Sequence, residues 1–183
     1  LKKIMGVEEM YKVFIGMFFI LLDFNVRFAQ THVFSLLPSF VGYLLIAFGL
    51  KSVADKNVYF DMGRRLSWVM FVLTLISYIS NAAALSYMFQ MPALVLSIMV
   101  VLGTIVDTYL IVRGCSDEEY ETGISWNAGK LTKFWMFYAV FTLLQNAVLL
   151  LIPVAEVYMI VAVVLLVTVV GLLYSFFQIR KNV

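Results

Sequence analysis

Leu21–Phe40 reads LLDFNVRFAQTHVFSLLPSF, and its placement decides how the first part of the chain is folded. Asp23, Asn25, Arg27, Gln30 and His32, the chain's one histidine, lie between two strongly apolar runs. The stretch is either a water-exposed loop or polar chemistry held inside a membrane. The apolar run Tyr11–Leu22 would rise only about 18 Å as α-helix, short of the roughly 30 Å of bilayer hydrocarbon. The helix is therefore expected to continue past Asp23, with that acid near mid-membrane, Arg27 about 24 Å up and His32 near the outer surface. Counting back from Lys51 gives a second crossing. The turn then falls around Gln30–Val33, and Pro38 lies inside the second span, where it would kink the helix and free a carbonyl.

On such a helix Asp23 and Arg27, acid first and four apart, share a face and neutralise each other. Each charge at the bilayer centre costs roughly 2.5–3.5 kcal/mol on an insertion scale, so the pair should face the bundle interior or a wet cavity. Two readings follow. The pair, with Asn25, locks helix one to its neighbours, or it lines an outward-opening polar pocket for a solute or ion.

The rest of the chain supports a membrane setting. Its 183 residues are 63% hydrophobic, 16% aromatic and 13% charged, against about 25% charged in soluble domains. The reading is an all-α, polytopic integral membrane protein in a cell membrane, that of a bacterium. The expected spans are 11–30, 33–54, 66–86, 91–112, 134–152 and 154–179, six in one domain over 1–183. With the N-terminus inside, every basic residue except Arg27 falls on the cytoplasmic side, as short cytoplasmic segments require. Both termini are then cytoplasmic, with short outer turns near Met88–Pro92 and Pro153.

A net charge of only +2 gives no reason to expect a nucleic-acid partner, and a lone Cys115 excludes an internal disulfide. With one cysteine and one histidine, no metal site and no cofactor of the usual kinds are expected. GISWNAGKLT imitates a phosphate-binding loop, but it has five residues between its glycines and Leu131 after the lysine. No GxxxG, HExxH, CxxC or GxSxG occurs, and no catalytic residues are assigned: the chain is not expected to be an enzyme.

The outer end of each helical hairpin carries an Asn followed by a Pro: Asn25 with Pro38, Asn81 with Pro92, Asn146 with Pro153. Three hairpins of common ancestry or chance would both produce this. The linkers KSVADKNVYFDMGRR and GCSDEEYETGISWNAGK form either short amphipathic helices at headgroup level or loops against the bundle.

Ser67, Thr74, Ser77, Asn81 and Ala84 form a small and polar stripe on span three. Trp135, Tyr138, Thr142 and Gln145 do so on span five, and Thr168, Gly171, Ser175 and Gln178 on span six. Such stripes serve packing or line a pocket. Glu156 joins the outer polar level. Asp107 lies about 9 Å above Arg113, in the inner half. Three readings stand for it: structural glue bonding Thr104, Thr108 or a tyrosine; a carboxyl kept protonated; or a step in a proton or cation path.

LLDFNVR followed by FSLLPSFVGYLLIAFGLKSVAD resembles the opening of small, uncharacterised multi-spanning membrane proteins of Gram-positive bacteria. These share a D-x-N turn and an L-P-x-x-x-G-Y-x-L-I helix. The resemblance covers about 40 residues and implies no activity. In size and topology the chain is also similar to the substrate-binding subunits of energy-coupling-factor vitamin transporters, although VFIGMFFILLDF lacks the AxxxA docking pattern of their first helix.

The expected function is solute binding or transport. Its site lies in the outer half of the bundle and uses Asp23, Asn25, Arg27, His32, Asn81 and Gln145, with Asp107 on an ion or proton path. The alternative is a non-catalytic accessory subunit docking a larger partner. The expected partners are the lipid bilayer, a small polar ligand, and a membrane protein or a second copy.

Overall fold

A computed structural model describes residues 7–22, 25–28, 32–35, 37–55, 57–83, 89–123, 127–151 and 155–182. Among them are six α-helices: α1 (Val7–Leu21), α2 (Ser39–Gly49), α3 (Val58–Ala82), α4 (Gln90–Thr122), α5 (Ala128–Leu151) and α6 (Ala155–Asn182). A 3-10 turn, Leu50–Ser52, follows α2, and one antiparallel hairpin, β1 (Asn25–Phe28) with β2 (His32–Ser35), joins α1 to α2. The helical class expected from composition holds outside that hairpin. The chain divides into two compact units, Leu1–Ile111 and Val112–Val183.

Among the described residues three helices are long and apolar enough to cross a membrane, not the expected six: α3, α4 and Glu156–Gln178 of α6. For α1 and α2 the shortfall is one of length. α1 has 15 residues and α2 has 11, rises of about 22 Å and 17 Å. α5 has 24 residues, with Lys130 and Lys133 in its opening turns and the uncharged run 134–151 after them.

The largest correction falls on Leu21–Phe40. α1 stops at Leu21, and Asn25–Phe28 is extended rather than helical. Arg27 therefore lies on no continuation of helix one, and the expected helical pairing with Asp23, itself outside the described residues, is lost. NVRF and HVFS mix β-branched and aromatic residues with polar ones at strand length, a pattern that suits pairing better than helix. The register sets Asn25 against Ser35, Val26 against Phe34, Arg27 against Val33 and Phe28 against His32. Pairing supplies the backbone partners that a broken helix would leave open. Pro38 does not kink a span either. It stands just ahead of α2 at φ −64°, ψ 120°, where its missing N–H costs nothing, and its carbonyl accepts from the Val41 amide at 3.0 Å.

Within the first unit α1 and α2 run antiparallel with glycine at each closest approach. A Cβ at Gly16 would lie 2.6 Å from the Gly42 carbonyl oxygen and 2.6 Å from Ile46 Cγ1; one at Gly49 would lie 2.9 Å from the Glu9 carbonyl. Small residues thus let two backbones touch. Met10, Val13, Met17 and Ile46 close the seam, all fully buried.

α2 meets α3 through aromatic edges instead, Phe40 with Tyr78 at 5.3 Å and Phe48 with Trp68 at 5.8 Å between ring centroids. α3 is capped by Asn57, whose Oδ1 accepts from the Tyr59 amide at 2.9 Å.

The two charged linkers are largely helix continued. Val58–Arg65 forms the opening turns of α3, and Cys115–Thr122 the closing turns of α4. α4 ends at Gly123 (φ 68°), and Asn127 (φ 54°) precedes α5; the Ala128 amide donates to Glu119 Oε2 at 2.7 Å, a carboxylate at a helix N-terminus as the helix dipole favours. In the second unit α5 and α6 pack together, with the Phe134 ring filling the space over Gly171.

Candidate functional site

α3 and α4 form an antiparallel pair: Gly63 faces Leu110 and Ile111, Ser67 faces Asp107, and Met70 faces Gly103. Further along, the pair parts into a cleft. Ser67, Asp107 and Thr108 are buried on helices long and apolar enough to cross a membrane, and that contrast marks the site.

Asp107 is fully buried, as are Ser67 and Thr108. The Ser67 hydroxyl lies 3.1 Å from Asp107 Oδ1 and 3.1 Å from Oδ2, donating to both. Among the described residues no cationic side chain forms an ion pair with Asp107; Lys12 pairs with Glu8, and Arg64 and Arg65 with Asp61. An ionised carboxylate taken out of water without a cation is costly. Of the partners expected for it, neither threonine serves. Thr108 donates to the Thr104 and Ile105 carbonyls. Thr104 donates to the Val100 carbonyl at 2.7 Å, so its contact with Tyr43 Oη at 2.7 Å is donated by the tyrosine. One turn apart on α4, Thr104 and Asp107 tie that helix to α2 and α3 respectively.

Past this rung the seam opens into a cleft of about 570 Å³, lined by Ile76, Ser77, Ser80 and Asn81 of α3 together with Phe89, Pro92, Ala93, Leu96 and Ser97. Ser77 and Ser97 each lie ten residues, about 15 Å of helix, from the acid–serine pair. Between them stands Met70, almost wholly buried, its thioether seated over Gly103, where there is no side chain to hold it off.

The residues expected to form an outer site fall on several elements. Asn25, Arg27 and His32 belong to the β-hairpin, and Asp23 lies outside the description. Asn81 lines the cleft. Gln145 belongs to the second unit, where its Nε2 donates to Tyr158 Oη at 3.0 Å. Glu156 is exposed in the first turn of α6. The stripe on α6 is used in packing: Thr168 and Ser175 are buried and return their hydroxyls to the Leu165 and Gly171 carbonyls. On α5, Asn146 donates to the Thr142 carbonyl at 2.8 Å.

Sequence reasoning singled out Asp107 and, separately, Ser67, without joining them; it missed Tyr43, Met70 and Gly103. The three-residue spacing of Thr104 and Asp107 was the available signal. Among the described residues no cluster of three His, Cys, Asp or Glu side chains could hold a metal ion.

The site and fold together define a class, a helical protein with membrane-length helices and a buried acid in a polar seam. Comparison adds nothing narrower: the chain matches no known protein family, no curated protein and no solved structure.

Proposed function

We propose that the protein is a multi-pass membrane protein of solute-binding or transport type, in which Asp107 exchanges a proton. The observation that carries the reading is the acid itself, fully buried within a helix apolar enough to cross a membrane and supplied with a single hydroxyl donor. Ionisable groups at such positions are expensive, and proton relays are among the functions that retain them. A divalent cation would ask for six or more oxygen ligands. A proton needs one oxygen, and is the ligand that suits so sparse a site.

The surface supports a bilayer setting. Val69, Val72, Ile76 and Ile79 on α3, Ile98, Leu102 and Val106 on α4, and Val163, Val167 and Val170 on α6 are exposed at helical spacing, while hydroxyls and the acid are inside. A water-soluble bundle has the opposite distribution.

In this reading α3 to α6 cross the bilayer and both termini are cytoplasmic. α1 and α2 enter from the inner side. The hairpin Asn25–Ser35 adds about 13 Å of strand beyond α1 and carries Arg27 and His32 to the outer headgroups, since open strand edges are not tolerated against lipid tails.

The test uses purified protein in lipid vesicles holding a pH-sensitive dye. After an external pH step, wild type should speed equilibration of the lumen over empty vesicles, and Asp107→Asn should not. A wild-type rate equal to that of empty vesicles, or an Asp107→Asn rate equal to wild type, defeats the reading.

A further inference from the structure

We propose that Met70 is a movable plug that separates the α3–α4 cleft from Asp107 and so controls water and proton access to the acid. The proposal rests on the reading of Asp107 as a proton-exchanging group and names the route by which protons reach it. Its geometry stands on three observations along one helix pair.

First, the cleft has an opening. Its walls carry Ser77, Ser80, Asn81 and Ser97, four neutral polar side chains able to hold water, among Ile76, Phe89, Pro92, Ala93 and Leu96. No charged side chain lines it among the described residues, so it favours water over a fixed counter-ion.

Second, the acid lies further along the same helix pair, at spacings of three and four residues that keep it on the helix faces lining the cleft. On α3 the sequence from cleft to acid is Ser77, Thr74, Met70, Ser67; on α4 it is Ser97, Val100, Gly103 and Thr104, Asp107. Thr74 turns its hydroxyl back to the Met70 carbonyl at 2.7 Å, and Thr104 likewise bonds Val100. The walls therefore have their polar groups satisfied locally and place no charge in a proton's way.

Third, Met70 stands between cleft and acid in the order of residues along α3, one turn from Ser67 and about two from Ser77, with buried Thr74 on its cleft side. Met70 is 1% exposed, and its sulfur and methyl group occupy the position that any side chain at 103 would take. Methionine is unbranched with three rotatable bonds, so a rotamer change removes the plug without moving a helix. A β-branched residue could not do the same. Gly103 has a matching role: it makes the recess that accepts the thioether.

The test reads access directly rather than proton movement, which keeps it separate from the transport assay. In a full-length Cys115→Ala background, Ser77→Cys and Ser67→Cys variants are reconstituted in vesicles and exposed to a small, membrane-impermeant methanethiosulfonate. Ser77→Cys should be labelled whatever stands at position 70. Ser67→Cys should be labelled at least tenfold more slowly than Ser77→Cys while Met70 is present, and within a few-fold of it after Met70→Ala. Met70→Val provides a second, milder opening should the alanine variant not fold, and Met70→Leu should preserve the barrier.

Rapid labelling of Ser67→Cys with Met70 in place would overturn the plug. So would no labelling in any Met70 variant, or an unreactive Ser77→Cys. Loss of the plug by these outcomes would leave the proton exchange at Asp107 to be judged by its own assay. An intact plug beside an inert Asp107→Asn comparison would reject the proton reading alone.

Discussion

The helix pair α1/α2 and the part of α3/α4 up to Ile111 lie in the same unit and are built on opposite principles. In the first, Gly16, Gly42 and Gly49 bring main chains together and leave no room for a side chain. In the second, side chains hold the helices: a serine on an acid, a methionine over a glycine, and beyond them an open cleft. Backbone contact gives a rigid seam because little can rearrange. A seam of flexible and polar side chains has alternatives, and a site that must admit and release a proton needs them. On the proposed reading, the first pair is structural and the second exchanges the proton.

The contrast breaks most visibly at Gly42. Gly42→Leu drives a branched side chain into the Gly16 carbonyl, 2.6 Å from the position of a Cβ, and should cost about 3 kcal/mol, read as a fall in unfolding midpoint in detergent. Ser67→Ala should cost less, about 1–3 kcal/mol, because a buried carboxyl loses its donor; the same variant should also shift the pH dependence of proton exchange, which no change in the glycine seam should do. Asn57→Ala removes the cap of α3 and should cost about 1 kcal/mol, with proton exchange unchanged.

The smallest effect belongs to Lys12 and Glu8, an exposed pair 2.8 Å apart. The hydrogen bond from Lys12 and its charge hold the Glu8 carboxyl below its ordinary value. Its contribution is present above the unfolded-state value and is lost as pH falls through the lowered one. Glu8→Gln should therefore alter the acid limb of a stability profile only slightly and leave neutral pH almost unchanged.

Much of the architecture was legible in the sequence, since apolar runs at membrane length announce α3, α4 and α6 without help from packing. Asp107 was legible for the same reason: an acid inside such a run stands out. The stretch from Leu21 to Phe40 misled because a length argument required helix one to reach the far leaflet. The short mixed segments NVRF and HVFS carried a strand signal of only four residues each, too brief to compete.

The glycine seam could not be found by looking for GxxxG, because Gly16 lies on one helix while Gly42 and Gly49 lie on the other. Ser67 and Asp107 were each visible on their own helix, but the register between α3 and α4 is a tertiary fact. The cleft was hidden for the same reason. Asn81 was singled out for its polarity, yet its neighbours Pro92 and Ser97 come from a second helix and Phe89 from the residue just ahead of it.

The central claim is that Asp107 gains and loses a proton while α4 lies in a bilayer. Infrared difference spectroscopy of the protein in lipid vesicles, recorded as pH is varied, tests it without knowledge of any solute. The account predicts a carboxyl C=O stretching band that changes with pH in wild type and is missing from Asp107→Asn. A pH-independent spectrum, or a titrating band that survives Asp107→Asn unchanged, would contradict it.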